Sequence, residues 1–173
     1  MDGVKPVCTP LGSNVKIQKG GTERFKDPTF YRSVVGALQY LHLTRLDISV
    51  AVNKVCQYMH DPFVEHWELF KRILRYLKGT ADYGLYLNSA KGFSLHAYSD
   101  ADWDGSLDDR RSTSGYCIYF GGNFISWSAR KQKTTSKSST EAEYRGVAIA
   151  TSDLIWIQSL LMELGVLSTT PIL

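Results

Sequence analysis

Cysteine, paired histidines and long apolar runs are all scarce in this chain, and each shortage closes a class of function. The three cysteines, Cys8, Cys56 and Cys117, are too few and too far apart for a disulfide framework or a zinc motif, and they suit a reducing compartment. None of the four histidines has a partner at H-x-x-x-H spacing, which argues against a zinc hydrolase. No N-terminal apolar run has the form of a signal peptide, and no stretch is long enough to span a bilayer. The expectation is an intracellular protein, cytoplasmic or nuclear, neither secreted nor partnered with a membrane. Charge of one sign is also in short supply. The net charge of +3 permits nucleic-acid binding without selecting it. The 43% hydrophobic content in 173 residues is enough for a packed core, in one moderate domain or a small domain with a helical appendage.

What is present falls into three parts. Residues 1–21 mix Pro6, Pro10, Gly12, Gly20 and Gly21 with short polar runs, and read as an extended lead-in. Residues 22–80 read as a helical segment. Asp27-Pro28 is a helix start, with Phe30, Val34, Ala37, Leu38 and Leu41 as its apolar stripe. A second helix is expected from Asp47 to Met59, carrying Ile48, Ala51, Val52 and Val55. A third is expected from Asp61-Pro62 to Lys78, with Phe70, Ile73, Leu74 and Leu77 inward and Gly79 closing it. From residue 81 the period changes. Leu85 and Leu87 suggest a short strand, and Phe93, Leu95 and Ala97 alternate with polar residues up to Asp100. Residues 115–120 and 124–128 read as a hairpin about Gly121-Gly122-Asn123. Thr140 and Glu143 have capping-box spacing, so a long helix is expected to begin there, run to Leu164 and close at Gly165. Pro171-Ile172-Leu173 has the look of a further strand beginning.

Asp100 ends a strand and Glu143 lies in the first turn of the long helix. Steps of three and four from Glu143 reach Gly146, Val147, Ala150, Leu154, Ile157, Leu161 and Leu164, which places a carboxylate on a core-facing stripe. Glu141 lies on another line with Arg145 as its exposed partner. Two carboxylates from separate elements can converge on one divalent cation, and magnesium, a hard ion that takes oxygen ligands and keeps waters, fits them best. Lys71, Arg72, Arg75 and Lys78 make a basic stripe on the third helix. Arg130, Lys131, Lys133 and Lys137 make a second basic patch before the long helix. Both are either solvated faces or tracks for nucleic-acid phosphates.

Several long motifs, in order, carry a resemblance. Tyr98-Ser99-Asp100-Ala101-Asp102-Trp103, Asp109-Arg110-Arg111-Ser112-Thr113-Ser114-Gly115-Tyr116, Ile125-Ser126-Trp127-Ser128 and Ser139-Thr140-Glu141-Ala142-Glu143-Tyr144 resemble the ribonuclease H region of copia-type LTR retrotransposon Pol polyproteins. Upstream, residues 31–41 and 71–80 resemble the segment that joins reverse transcriptase to that region. The resemblance implies an α+β fold: an N-terminal helical segment, then a truncated ribonuclease H-like fold of antiparallel strands plus a long helix over residues 81–173. It implies two-metal hydrolysis of RNA–DNA hybrids, with Asp100 and Glu143 as catalytic, metal-holding acids. The third and fourth acids of the family pattern are not among these residues. Magnesium binding is therefore expected to be weak or absent, and the chain inactive alone, with the remainder of the polyprotein and a hybrid as partners. One departure is Leu46, where the family usually has proline, at the start of the second helix.

Two other readings stand beside this one. Asp100, Asp102, Asp104 and Gly105 match the opening of a calcium-binding loop, but Arg111 occupies the position of its closing glutamate. A non-catalytic nucleic-acid-binding or relic protein would keep the same basic residues and lack the cleavage.

Overall fold

The computed structural model describes residues 3–12, 17–90, 92–166 and 171–173. The chain divides into two compact units, Met1–Gly84 and Leu85–Leu173. The architecture is α+β: helices first, then a three-stranded antiparallel sheet and a long helix, which is a truncated ribonuclease H-like topology.

In the first unit, α1 spans Pro28–Leu41. Asp27 caps it, its Oδ1 accepting from the Phe30 amide at 2.9 Å, and Pro28 occupies the first turn where no amide is missed. The buried side chains are Tyr31, Val35 and Leu38, whereas Phe30 is 48% exposed. The apolar stripe is thus turned from the expected one, because Tyr31 can enter the core while its hydroxyl donates to the Val55 carbonyl at 3.0 Å.

The second helix is shorter than its periodicity predicts. A 3-10 turn at Leu46–Ile48 leads into α2, Ser49–Cys56. Beyond it the amides of Gln57, Tyr58 and Met59 bond carbonyls three residues back, so the last turn tightens and the helix ends. Leu46 opens the 3-10 turn and is 41% exposed.

The third helix, α3, spans Val64–Gly79 and starts after Phe63 rather than at Asp61-Pro62. The backbone there is already committed: Phe25 N donates to Pro62 O at 2.8 Å and Val64 N to Glu23 O at 2.9 Å, an antiparallel pairing that excludes helical geometry. Leu69, Phe70, Ile73 and Tyr76 join Tyr31, Val35, Ile48, Val52 and Val55 in one core. The described part of residues 1–21 has no helix or strand but packs on this core. Ile17 is buried, and Val7 and Leu11 lie against the same cluster. Buried His66 accepts the Phe63 amide at Nδ1, and its Nε2 is 2.9 Å from the Gln18 carbonyl, which assigns the ring proton to Nε2.

A polar knot sits beside this core. The Arg45 guanidinium, 5% exposed, donates twice to Asp47 at 2.9 and 2.6 Å and reaches Thr80 O at 2.8 Å and Thr80 Oγ1 at 2.7 Å. Tyr76 donates to Asp47 at 2.7 Å, so the carboxylate and the guanidinium are both satisfied.

The second unit holds β1 Leu95–Asp102, β2 Thr113–Phe120 and β3 Asn123–Lys131, in the order β1-β2-β3, and α4 Ser139–Glu163. Phe120 pairs with Asn123 around Gly121 and Gly122, whose φ of +57° and +84° suit a two-residue hairpin turn that residues with side chains resist. Leu85 and Leu87 form no strand. Both are exposed, and the order nearby comes from Asn88 and Asn123, which exchange bonds at 2.7 and 3.0 Å. β1 runs two residues past Asp100, since Ala101 and Asp102 pair with Ser114 and Thr113. On its other side, Ala97 N donates to Ile172 O at 2.8 Å and Ile172 N to Leu95 O at 3.1 Å, a parallel bridge where a further strand was expected to begin.

Leu95, Ala97 and Ile118 on the sheet meet Leu154 and Ile157 on α4 to make the core. Alternation places the other row of side chains on the opposite face. There Tyr98, Tyr119, Phe124 and Trp127 form a ladder across all three strands, with ring centroids 6.1, 5.0 and 5.0 Å apart.

Candidate functional site

The site is organised by how α4 begins. Its N-cap is Ser138, whose Oγ accepts from the Glu141 amide at 3.1 Å, while Glu141 Oε2 accepts from the Lys137 amide at 2.7 Å. The capping pair is therefore Ser138 and Glu141, two residues before the Thr140 and Glu143 that the spacing favours. Glu141 also binds Arg145 at 2.6 Å, and the bond to the Lys137 backbone, then Arg145, hold its carboxyl below the usual range. Because Glu141 does the capping, Glu143 is not spent on it.

The buried line of α4 is Ala142, Gly146, Ala150, Leu154 and Ile157. Glu143 sits on the shoulder of that line and is half-buried, while Val147 and Leu164 are exposed. The far end closes as expected at Gly165, with φ +73°, Gly165 N bonding Met162 O and Val166 N bonding Leu161 O.

Asp100 lies on β1 opposite Gly115 and is exposed. Its row is that of His96, Tyr98 and Asp102, while Leu95 and Ala97 point under α4. The backbones nonetheless meet. A Cβ placed on Gly146 would stand 3.7 Å from the Asp100 carbonyl oxygen and 3.5 Å from Ser114 Oγ. Gly146 is one turn beyond Glu143, so the first turns of α4 lie over the end of β1 that carries Asp100.

Gln132, which the sequence reading passed over as part of a polar basic run, fixes this arrangement. It is 5% exposed, its Nε2 donates to Ser114 Oγ at 2.7 Å and to the Ala142 carbonyl at 2.9 Å, and Ser136 donates to its Oε1 at 2.8 Å. Its amide donates to Ser112 O at 2.8 Å, and Trp103 Nε1 donates to Ser136 O at 3.2 Å. One amide side chain thereby ties β2, the loop after β3 and the first turn of α4.

The loop after β1 is held by ion pairs. Asp104 binds Arg110 at 2.6 Å, and Asp109 binds Lys131 at 2.7 Å and Arg111 at 3.5 Å. Burial pushes the Asp109 carboxyl up, but bonds from Lys131 and Ser106 outweigh it and hold the group at about 2. Asp100 and Asp102 belong to a strand, so the aspartates do not wrap as a calcium loop does.

The eight basic candidates differ in what they touch. Lys71 pairs with Glu68 at 2.5 Å. Arg72 donates to Thr9 Oγ1 at 2.9 Å, Arg75 to Lys5 O at 2.9 Å and Lys78 to Val4 O at 3.1 Å, so the N-terminal segment runs along the basic stripe of α3. Lys131 is paired with Asp109. Arg130, Lys133 and Lys137 are exposed.

Magnesium would find hard oxygen donors in Asp100 and Glu143, the right chemistry for that ion. Among the described residues, however, no group of three or more His, Cys, Asp or Glu side chains could hold a metal ion. Two carboxylates on their own do not make an octahedral site.

Comparison with known proteins decides the lineage. Over 170 residues the chain is 54% identical to the retrovirus-related Pol polyprotein from transposon RE2 of Arabidopsis thaliana, an alignment covering 98% of this chain and 12% of that protein. It is 38% identical over 176 residues to the corresponding polyprotein from transposon TNT 1-94 of Nicotiana tabacum, covering 95% of this chain and 13% of that one. The chain belongs to the copia-type retrotransposon Pol family. This Pol segment spans about an eighth of the length of those polyproteins. It is also 45% identical over 128 residues to the secreted RxLR effector protein 161 of Plasmopara viticola, covering 73% of this chain and 90% of that protein. No family model and no solved structure matches the segment. Its descent is that of the ribonuclease H-like region of Pol, and no helix among its described residues is long and apolar enough to cross a membrane.

Proposed function

We propose that this Pol segment contributes two acids, Asp100 and Glu143, to a ribonuclease H-type centre that hydrolyses the RNA strand of RNA–DNA hybrids. The observation that carries the reading is the seating of the first turns of α4 on the end of β1, with Gly146 at the Asp100 backbone. Asp100 is exposed and leaves β1 on the face turned from α4, while Glu143 is half-buried on the shoulder of α4, so the two oxygen donors share a hydrated cation only around the end of β1, open to solvent and a bulky duplex. The exposed Arg130, Lys133 and Lys137 are the contacts to nucleic-acid phosphates. Lys131 adds to them within the same unit, and Lys71, Arg72, Arg75 and Lys78 are a separate set of phosphate contacts on the first unit, each where a phosphate displaces the present partner. The remainder of a Pol polyprotein supplies further carboxylates, and the 173 residues alone bind magnesium weakly and cleave little. The setting is intracellular, wherever reverse transcription of the element takes place.

A non-catalytic reading is favoured by one specific observation. Nine-tenths of the length of a secreted effector is covered by this kind of sequence, so the segment also exists largely without a Pol polyprotein around it. Hydrolysis of a labelled RNA–DNA hybrid with magnesium or manganese separates the two. The proposal expects little or no cleavage by the segment alone, and cleavage by a longer Pol chain that Asp100→Asn and Glu143→Gln each abolish. A longer chain whose cleavage survives both substitutions refutes the assignment of these acids.

A further inference from the structure

A cleft of about 550 Å³ opens beside α4, between it and the helix-side row of β3. It lies within the second unit and contains neither Asp100 nor Glu143. Ser128, Arg130, Lys133 and Thr134 line one side, and Ala148, Ile149 and Asp153 of α4 the other, with Tyr116 between them. Alternation explains why it exists. Tyr116 pairs with Ser128 and Ser114 with Arg130, so β3 presents hydroxyl and guanidinium groups on the face where β1 and β2 present the core. α4 covers the apolar rows and leaves the polar row of β3 open.

The charges in the cleft are unequal in their commitments. Lys131 contributes to the lining but is paired with Asp109, and Arg145 is held by Glu141 and by the Thr134 carbonyl at 3.2 Å. The Asp153 carboxylate accepts the Tyr116 hydroxyl, and burial followed by that bond pushes the phenol up to about 12. Arg130 and Lys133 remain as exposed cations, with the hydroxyls of Ser128 and Thr134 beside them and the 46%-exposed Ile149 opposite. Two cations, the Ser128 hydroxyl, the Thr134 hydroxyl, which accepts from Arg145 and keeps its own proton to donate, and an apolar wall are groups that take a phosphodiester and its attached sugar, and they outnumber the one Asp153 carboxylate, which is occupied by Tyr116.

We infer that this cleft is a second binding site, for an internucleotide phosphate of a single nucleic-acid strand, with Arg130 and Lys133 as its cations. It deepens the nucleic-acid reading above and rests on it, but not on Asp100 or Glu143. A strand held here lies away from the two acids and serves to retain the substrate rather than to react.

The test is binding of fluorescein-labelled oligo(dT) and oligo(U) by the 173-residue chain across a salt series. Each strand phosphate released from contact lowers the magnitude of the slope of log K against log salt by about 0.7. The double variant Arg130→Gln, Lys133→Gln is expected to bind about tenfold more weakly, with the slope reduced by roughly 0.7, the loss of one phosphate contact. Lys26→Gln, an exposed change in the other unit that removes one positive charge, is the net-charge control for each single cleft variant, Arg130→Gln or Lys133→Gln, and should leave the slope unchanged. Both residues of the cleft are exposed, so folding should persist, and tryptophan fluorescence of the variant checks this. An unchanged slope in the double variant, an equal change in Lys26→Gln, or no binding by the parent chain overturns the inference. Asp100→Asn, which tests the ribonuclease reading through cleavage, should leave strand binding as it was, so the two can fail separately.

Discussion

Gly146 and Asp100 lie within van der Waals reach across the α4–β1 interface: a Cβ on the glycine would be 3.7 Å from the Asp100 carbonyl oxygen. That distance leaves room for a methyl group and for nothing larger. Gly146→Ala should therefore fold normally and gain up to about 1 kcal/mol from helix propensity. Gly146→Val should lose about 1–3 kcal/mol through overpacking, as α4 is pushed off β1 and β2. Urea unfolding of both variants checks the pair, and a strongly destabilised Gly146→Ala would contradict the described fit.

Gln132 makes its three side-chain bonds in a buried position, so removing it leaves Ser114 and the Ala142 carbonyl without that donor. Gln132→Leu should cost about 2–3 kcal/mol, the penalty of burying groups stripped of a partner. Amide hydrogen exchange locates the loss: protection should fall first in the opening turn of α4, before the hairpin is affected. Uniform loss over the unit would mean that Gln132 is not the local tie.

Arg45, which is buried, pairs in the first unit with Asp47, a third of whose side chain is exposed. Arg45→Met removes the cation and its bonds to Asp47 and Thr80, and because a third of the Asp47 side chain is exposed to water the loss is expected to be about 1–3 kcal/mol. The double replacement Arg45→Met, Asp47→Leu should recover part of the loss, because no isolated charge is then left behind. Thermal unfolding of the single and double variants measures both effects.

Acid should weaken the second unit over a defined window. The Asp109 carboxyl is held at about 2, below its ordinary 3.8, so its contribution is complete above pH 3.8 and is lost as pH falls through 2. With a quarter of the side chain exposed, the contribution is on the order of 1 kcal/mol. Asp109→Asn should abolish that part of the acid dependence and leave the shape of the curve above pH 5 as it is in the parent. Equal acid sensitivity in parent and variant would remove Asp109 from the account.

Much of this architecture is legible in the chain because the signals are local. Asp27-Pro28, the Gly121-Gly122 turn and the Gly165 stop each act within a few residues, and each is found where its chemistry places it. Boundaries set by distant partners are not. The start of α3 depends on Pro62–Val64 pairing with Glu23–Phe25, and the cap of α4 on Glu141 reaching the Lys137 amide instead of Glu143 closing a box with Thr140. The site divides in the same way. Asp100 and Glu143 stand out by residue type and position, whereas Gln132 looks like any polar residue of a basic loop. Only its burial against Ser114 and Ala142 reveals its part in holding α4 in place. The basic residues share one charge and differ in partners, which is why Arg130 and Lys133 separate from Lys131 only in three dimensions.

The proposed pairing of Asp100 with Glu143 requires that both carboxylates address one divalent ion. Manganese titration followed by NMR line broadening of the carboxyl-bearing side chains tests it most directly. The account predicts that both signals broaden together, at millimolar ion, and that Asp100→Asn removes the broadening at Glu143. Broadening confined to one of the two, or unchanged at Glu143 when Asp100 is replaced, would contradict it.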